Sequence, residues 1–237
     1  MENKQANPMG NMPTDPMEIF KAMSERERQA KINRFRILNQ TVKKGETLFT
    51  GSSLMEQFPI NELAQDFDVK TVIYNRGIGG YTTDDMLAHM DEQIFGVGPS
   101  RIFINIGTND IGMPTNTFEE NLSHMLTNYR EILTQIKNRL PEAEVFLMAY
   151  YPVNENAAGE DAPEYLKYMF KNRTNENILT ANTEVEKLAA EFGYHYIDVN
   201  DGLRGEDGRL KKEFTIEGIH MYANGYCVVL ENMRKYL

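Results

Sequence analysis

From Glu46 onward the chain alternates between two rhythms. Short, largely apolar runs cover Thr47–Thr50, Val69–Tyr74, Arg101–Ile106, Glu144–Tyr150 and Tyr194–Val199. Amphipathic stretches separate them: Leu54–Phe67, Thr83–Phe95, Phe118–Leu140, and Pro163–Phe192 with breaks; a last one, Ala223–Tyr236, closes the chain. Strands that are apolar along their length are buried on both faces, which is the signature of a parallel sheet covered by helices on each side. Strands alternating with helices therefore predict an α/β protein, a three-layer α/β/α sandwich around a five-stranded parallel sheet with right-handed crossovers. In such sheets ligands bind beyond the carboxyl ends of the strands, so the residues that follow each strand carry the functional question.

The N-terminal part follows a different pattern. Residues 1–16 are rich in Met, Asn and Pro without an apolar period and read as a mobile lead-in. From Pro16 a helical spacing sets in, with Ile19, Phe20, Met23, Ile32, Phe35 and Ile37 among charged residues. We expect an extension over 1–44 and one domain over 45–237. The apolar side of that helix needs a surface, either its own domain or a second copy, which makes it the candidate for a homodimer contact.

Composition narrows the partners. Lys and Arg number 25 against 35 Asp and Glu, a net charge of −10. Nucleic acids and anionic membrane surfaces call for the opposite balance. The single Cys227 has no internal partner, and no segment offers the ~20 apolar residues of a membrane span, so a cytoplasmic protein without a membrane span is expected. Neither metal nor organic cofactor enters the expectation.

Four polar or glycine-rich segments sit where the sheet gathers its chemistry: Gly51-Ser52-Ser53-Leu54, Ile78-Gly79-Gly80-Tyr81-Thr82-Thr83, Gly107-Thr108-Asn109-Asp110 and Glu217-Gly218-Ile219-His220. Each has a plain reading and a chemical one. Ser52 and Ser53 suit the cap of the next helix, or one of them is a nucleophile at its positive end. The glycines at 77–80 make a tight turn, or let a backbone amide approach a ligand oxygen. Asn109 closes an Asx-turn, or presents a neutral donor to an oxyanion. Glu217 and His220 make an ordinary i, i+3 contact, or a carboxylate-held general base. His89, His124 and His195 fit packing or surface roles.

Taken together and in this order, the four segments resemble the signature blocks of the SGNH (GDSL-type) hydrolase superfamily, over roughly Thr47–Tyr226. The resemblance implies a flavodoxin-like SGNH hydrolase fold and places the nucleophile on Ser53, the base on His220 and its orienting acid on Glu217. It also implies an oxyanion hole formed by the Ser53 and Gly80 amides and the Asn109 side chain. The chain departs from the family pattern at Ser52, where Asp is common, and at Glu217, one methylene longer than the usual Asp. That longer arm must fold back, or enter from a shifted backbone, to reach the imidazole.

The expected function is therefore a serine esterase or lipase acting on a small-molecule carboxylic ester through an acyl-enzyme, with small acyl groups such as acetyl preferred. The competing class is a silent ligand-binding module on the same scaffold. Other frameworks fit less well: no Gly-x-Ser-x-Gly surrounds either serine, Thr82 occupies the third glycine position of a dinucleotide fingerprint, and a phosphate-loop signature is absent. Tyr81, Tyr150 and Tyr151 follow strands and are candidates to line the crevice, with loop packing the alternative. Asn154–Asp161 reads as a lid or a surface connection.

Overall fold

The computed structural model describes residues 15–157, 159 and 163–237. The lead-in therefore lies outside the described residues except for Asp15 and Pro16, as does the side chain of Phe20. In chain order the elements are α1 (Pro16–Leu38), β1 (Thr47–Gly51), α2 (Ser53–Glu56), α3 (Ile60–Asp66), β2 (Ile73–Gly77), α4 (Thr83–Ala88) and a π turn over Asp91–Phe95. There follow β3 (Arg101–Asn105), α5 (Thr108–Ile111), α6 (Phe118–Arg139), β4 (Glu144–Met148), α7 (Glu164–Met169), α8 (Asn175–Phe192), β5 (His195–Ile197) and α9 (Ala223–Met233).

All neighbouring strands pair in parallel, in the order β2-β1-β3-β4-β5. This is the three-layer α/β/α arrangement that the alternating rhythm predicts. Alternate side chains of each strand feed two separate cores. On one face Leu48, Ile102, Ile104 and Leu147 pack with Ile32 of α1, Met86 of α4, Ile132 of α6 and Val185 of α8. On the other, Phe49, Phe103 and Phe146 pack with Leu54, Leu63, Val229 and Leu230 of α2, α3 and α9. These three phenylalanines stand in register across β1, β3 and β4, with ring centroids 4.9 and 4.7 Å apart.

Two expectations need correction. The second strand runs over Ile73–Gly77, whereas the apolar run suggests Val69–Tyr74. Val69 instead closes the end of α3, its amide donating to Ala64 just after Asp68, whose φ of +56° ends the helix. Asn75 and Arg76 enter an edge strand because their polar groups find partners there. The Asn75 amide donates to the Met55 carbonyl, while Arg76 donates to Asn39 and lies over the rings of Phe35 and Tyr74. The helix expected over Leu54–Phe67 is also broken, at Gln57-Phe58-Pro59. Pro59 has no amide to extend the turn, and Phe58 turns inward to stack on Tyr226 at 4.7 Å.

Helix α1 covers its own domain. Ile32 is buried, Phe35 joins the first core, Arg36 pairs with Glu92 at 2.6 Å and Asn39 donates to the Glu92 carbonyl. Among the described residues no helix is long and apolar enough to cross a membrane.

If α1 is an integral part of the domain, Ile32→Ala should cost about 2–5 kcal/mol in denaturant titration. Met23→Ala, at a position 65% exposed, should stay within about 0.5 kcal/mol. Equal, small effects at both positions would show that α1 is not docked.

Candidate active site

Strand β1 ends at Gly51 and the chain turns directly into the single turn of α2. Ser52 occupies the cap position in an extended conformation but makes no capping bond, and its buried hydroxyl has no partner among the described residues. The helical cap that the serine pair suggests is therefore not made by Ser52, and one helical turn supplies little dipole to Ser53. What Ser53 does have is an imidazole: its Oγ lies 2.9 Å from Nε2 of His220.

His220 belongs to a loop just before α9. Gly218, at φ +106°, lets the backbone fold back, and the turn is closed from both sides. The Thr215 hydroxyl donates to the His220 carbonyl at 2.9 Å and accepts from the Gly218 amide at 2.8 Å, while the Asn154 amide donates to the Gly218 carbonyl. Within this loop the longer glutamate arm folds back: Oε1 of Glu217 meets both the His220 amide and Nδ1 of its ring. Burial pushes the Glu217 carboxyl upward, but its hydrogen bonds to His220 and the charge of that ring outweigh burial and hold it below the usual range. With Nδ1 tied to a carboxylate, the imidazole places its proton there and turns the Nε2 lone pair toward the serine.

The second and third segments converge beside this pair. A Cβ built on Gly79 would lie 3.8 Å from Cβ of Ser53. Gly80 sits at φ +75°, a conformation that a side chain would strain. Among the described residues, neither the Ser53 nor the Gly80 amide has an acceptor. Asn109, in α5, donates one Nδ2 proton to the Tyr81 carbonyl at 3.0 Å. Three strand ends thus carry Ser53, Gly80 and Asn109 to the carboxyl edge of the sheet, beyond β1 and its neighbours β2 and β3.

The tyrosines are a different matter. Tyr81, Tyr150 and Tyr151 are all buried, not lining the crevice as expected. The Tyr150 hydroxyl donates to the Ile106 carbonyl at 2.7 Å, and the Tyr151 ring lies in the second core. Each follows a strand, but the sheet continues to be covered at that depth. Asn154 is likewise buried and bonded to the Leu210 carbonyl, so the segment read as a lid or a surface connection begins as an anchor; residues 158, 160 and 161 of it lie outside the described residues.

Three residues without an expected role support the site. Glu56 accepts the Gly79 amide with one carboxylate oxygen and pairs with Lys31 of α1 through the other, at 2.7 Å. Asp110 accepts the Thr83 amide at 3.0 Å and its hydroxyl, tying the third segment to the start of α4. Arg173, from the loop before α8, donates to the Thr108 carbonyl and to Oδ1 of Asn109. Position signals Glu56 and Asp110, which adjoin the first and third segments. Nothing in the pattern marks Arg173.

Fold and strand-end segments together define an SGNH-type α/β/α hydrolase. The profile of the GDSL-like Lipase/Acylhydrolase family matches residues 51–228, and the chain belongs to that family. It is thereby an enzyme of the esterase and acylhydrolase class. Platelet-activating factor acetylhydrolase IB subunit alpha2 of Rattus norvegicus is 24% identical over 86% of this chain and 80% of its own length. A solved structure from Streptococcus pneumonia, named for a platelet activating factor, is 30% identical with a TM-score of 0.79, covering 93% of this chain and 97% of that one. A GDSL-like lipase from Bacteroides thetaiotaomicron shares the fold at 20% identity and a TM-score of 0.69, over 86% and 96% of the two chains.

Burial raises the Asp110 carboxyl from 3.8 to about 6, against the lowering effect of its bonds to Thr83. Because the folded value lies above the ordinary one, the folded protein holds this proton more tightly than the unfolded chain. The resulting stability is full below about pH 4 and lost as pH rises through about 6. Asp110→Asn should flatten the stability profile across that window in denaturant titrations at stepped pH. An unchanged slope would rule the coupling out.

Proposed function

We propose that the chain is a carboxylic ester hydrolase that works through an acyl-enzyme on Ser53, with His220 as base and Glu217 as its orienting acid. The observation that carries this reading is the hydroxyl–imidazole distance of 2.9 Å, with the far side of the same ring held by a carboxylate. As Ser53 Oγ attacks the ester carbonyl carbon, its proton passes to Nε2 of His220. Glu217 stabilises the imidazolium. The carbonyl oxygen, now an anion, takes hydrogen bonds from the Ser53 and Gly80 amides and from the second Nδ2 proton of Asn109. Collapse of the tetrahedral intermediate breaks the ester bond, and the leaving alcohol carries away the proton held by His220. Water then repeats the sequence on the acyl-enzyme and releases the acid. No step calls for a metal or an organic cofactor. Among the described residues no group of three or more His, Cys, Asp or Glu side chains stands ready to hold a metal ion.

The substrate class we propose is an ester of a short acyl group, acetyl foremost. An acetylhydrolase among the relatives supports it.

A fluorophosphonate probe should label the native protein and leave Ser53→Ala unlabelled, with esterase turnover in that variant reduced about 10⁴-fold or more. Full labelling or turnover in Ser53→Ala would remove the nucleophile assignment. Asn109→Ala should lower kcat about 10²–10³-fold, the usual cost of one oxyanion donor. Across aryl esters of rising chain length, kcat/KM should be highest for acetyl; a maximum at long chains contradicts the short-acyl assignment.

A further inference from the structure

The buried arginine has no place in the reaction just described, yet it touches the proposed oxyanion donor. Arg173 is 6% exposed, and among the described residues its hydrogen bonds go to two oxygens of the third segment and to no carboxylate. Nε and Nη2 converge on the Thr108 carbonyl at 3.3 and 3.0 Å, and Nη2 also reaches Oδ1 of Asn109 at 3.0 Å. A Cβ added to Gly112, at the end of α5, would come within 2.7 Å of the guanidinium, so the turn packs flat against it. Burial lowers the arginine to about 10, with the Glu217 charge pulling it back up, so it stays cationic at neutral pH.

An asparagine amide is nearly symmetric in shape, and which end faces the reacting carbonyl depends on its neighbours. In the orientation described, Oδ1 accepts from the guanidinium and Nδ2 donates to the Tyr81 carbonyl. Flipping the amide sets N–H against N–H at one end and carbonyl against carbonyl at the other. The wrong end would then meet the developing oxyanion. A cation on Oδ1 also draws electron density from the amide and makes the remaining Nδ2 proton a better donor.

We propose that Arg173 is the positioning residue for Asn109, fixing the amide so that Nδ2 faces the oxyanion and strengthening that donor. The inference rests on the oxyanion role of Asn109 given above. It acts through a neighbour rather than on the substrate, so its effect belongs in kcat and vanishes when Asn109 is gone.

A double-mutant cycle on the full chain tests it, with Arg173→Met, Asn109→Ala and the pair assayed on an acetyl aryl ester. Arg173→Met alone should lower kcat by about tenfold or more with KM within about twofold, and should change kcat less than about twofold in the Asn109→Ala background. Arg173→Lys, which keeps the cation without the planar fork, should fall between, and serves in the cycle if the Met variant does not fold by circular dichroism. Losses that multiply across the cycle, or a folded Arg173 variant with unchanged kcat, would overturn the positioning role while leaving Asn109 in place. A fully active Asn109→Ala would instead remove the oxyanion reading, and this inference with it.

Discussion

A hydroxyl and an imidazole separated by 167 positions in the chain meet at 2.9 Å, and nearly everything else in the molecule serves that meeting. Parallel pairing is what makes it possible. Because all five strands point the same way, every strand ends on the same side, and the loops that follow collect there without further design. Strand register then sets the depth. Gly51 of β1 lies level with Gly77 of β2 and Asn105 of β3, so the three turns beyond them leave the sheet together. The in-register ladder of Phe49, Phe103 and Phe146 resists slippage among the central strands, since a one-residue shift would turn these rings toward the wrong core.

Holding the turns in place takes polar groups that water would otherwise solvate. Asp110 bonds to the start of α4, Arg173 to the α5 turn, and Glu56 to the glycine segment. Each joins two of the converging segments to one another or to a neighbouring helix, and each is at least partly removed from water to do so. The Glu56 contact extends further, because Lys31 of α1 pairs with the other oxygen of the same carboxylate, and Arg28 reaches the Gly80 carbonyl at 3.4 Å. The N-terminal helix is thus connected to the glycine segment by side chains as well as packed on the sheet.

How far the chain's own pattern reveals this depends on which physical signal a residue leaves. Apolar runs at β1, β3 and β4 expose the sheet because two-sided burial demands apolar residues. Strand β2 hides because Asn75 and Arg76 are satisfied by partners distant in the chain, which no local window contains. The four strand-end segments are legible as a resemblance, and contacts join them in the structure: His220 to Ser53, Gly79 to Glu56 and Asn109 to Tyr81. The three tyrosines mislead for a simple reason: an aromatic ring just past a strand looks the same in sequence whether it faces the crevice or the core. Arg173 leaves no periodic trace, since its role comes from the loop before α8 folding back over a turn 64 residues earlier.

The imidazole and its carboxylate share one short loop, braced by Thr215 and Asn154, whereas the serine is carried by the helical turn after β1, 167 positions earlier. The histidine and its carboxylate therefore form a single cartridge. Any breathing of that loop would preserve the histidine–glutamate bond and lengthen only the gap to the serine. On the proposed reading of the site, a single seam, between this loop and the turn after β1, has to close for the pair to be complete.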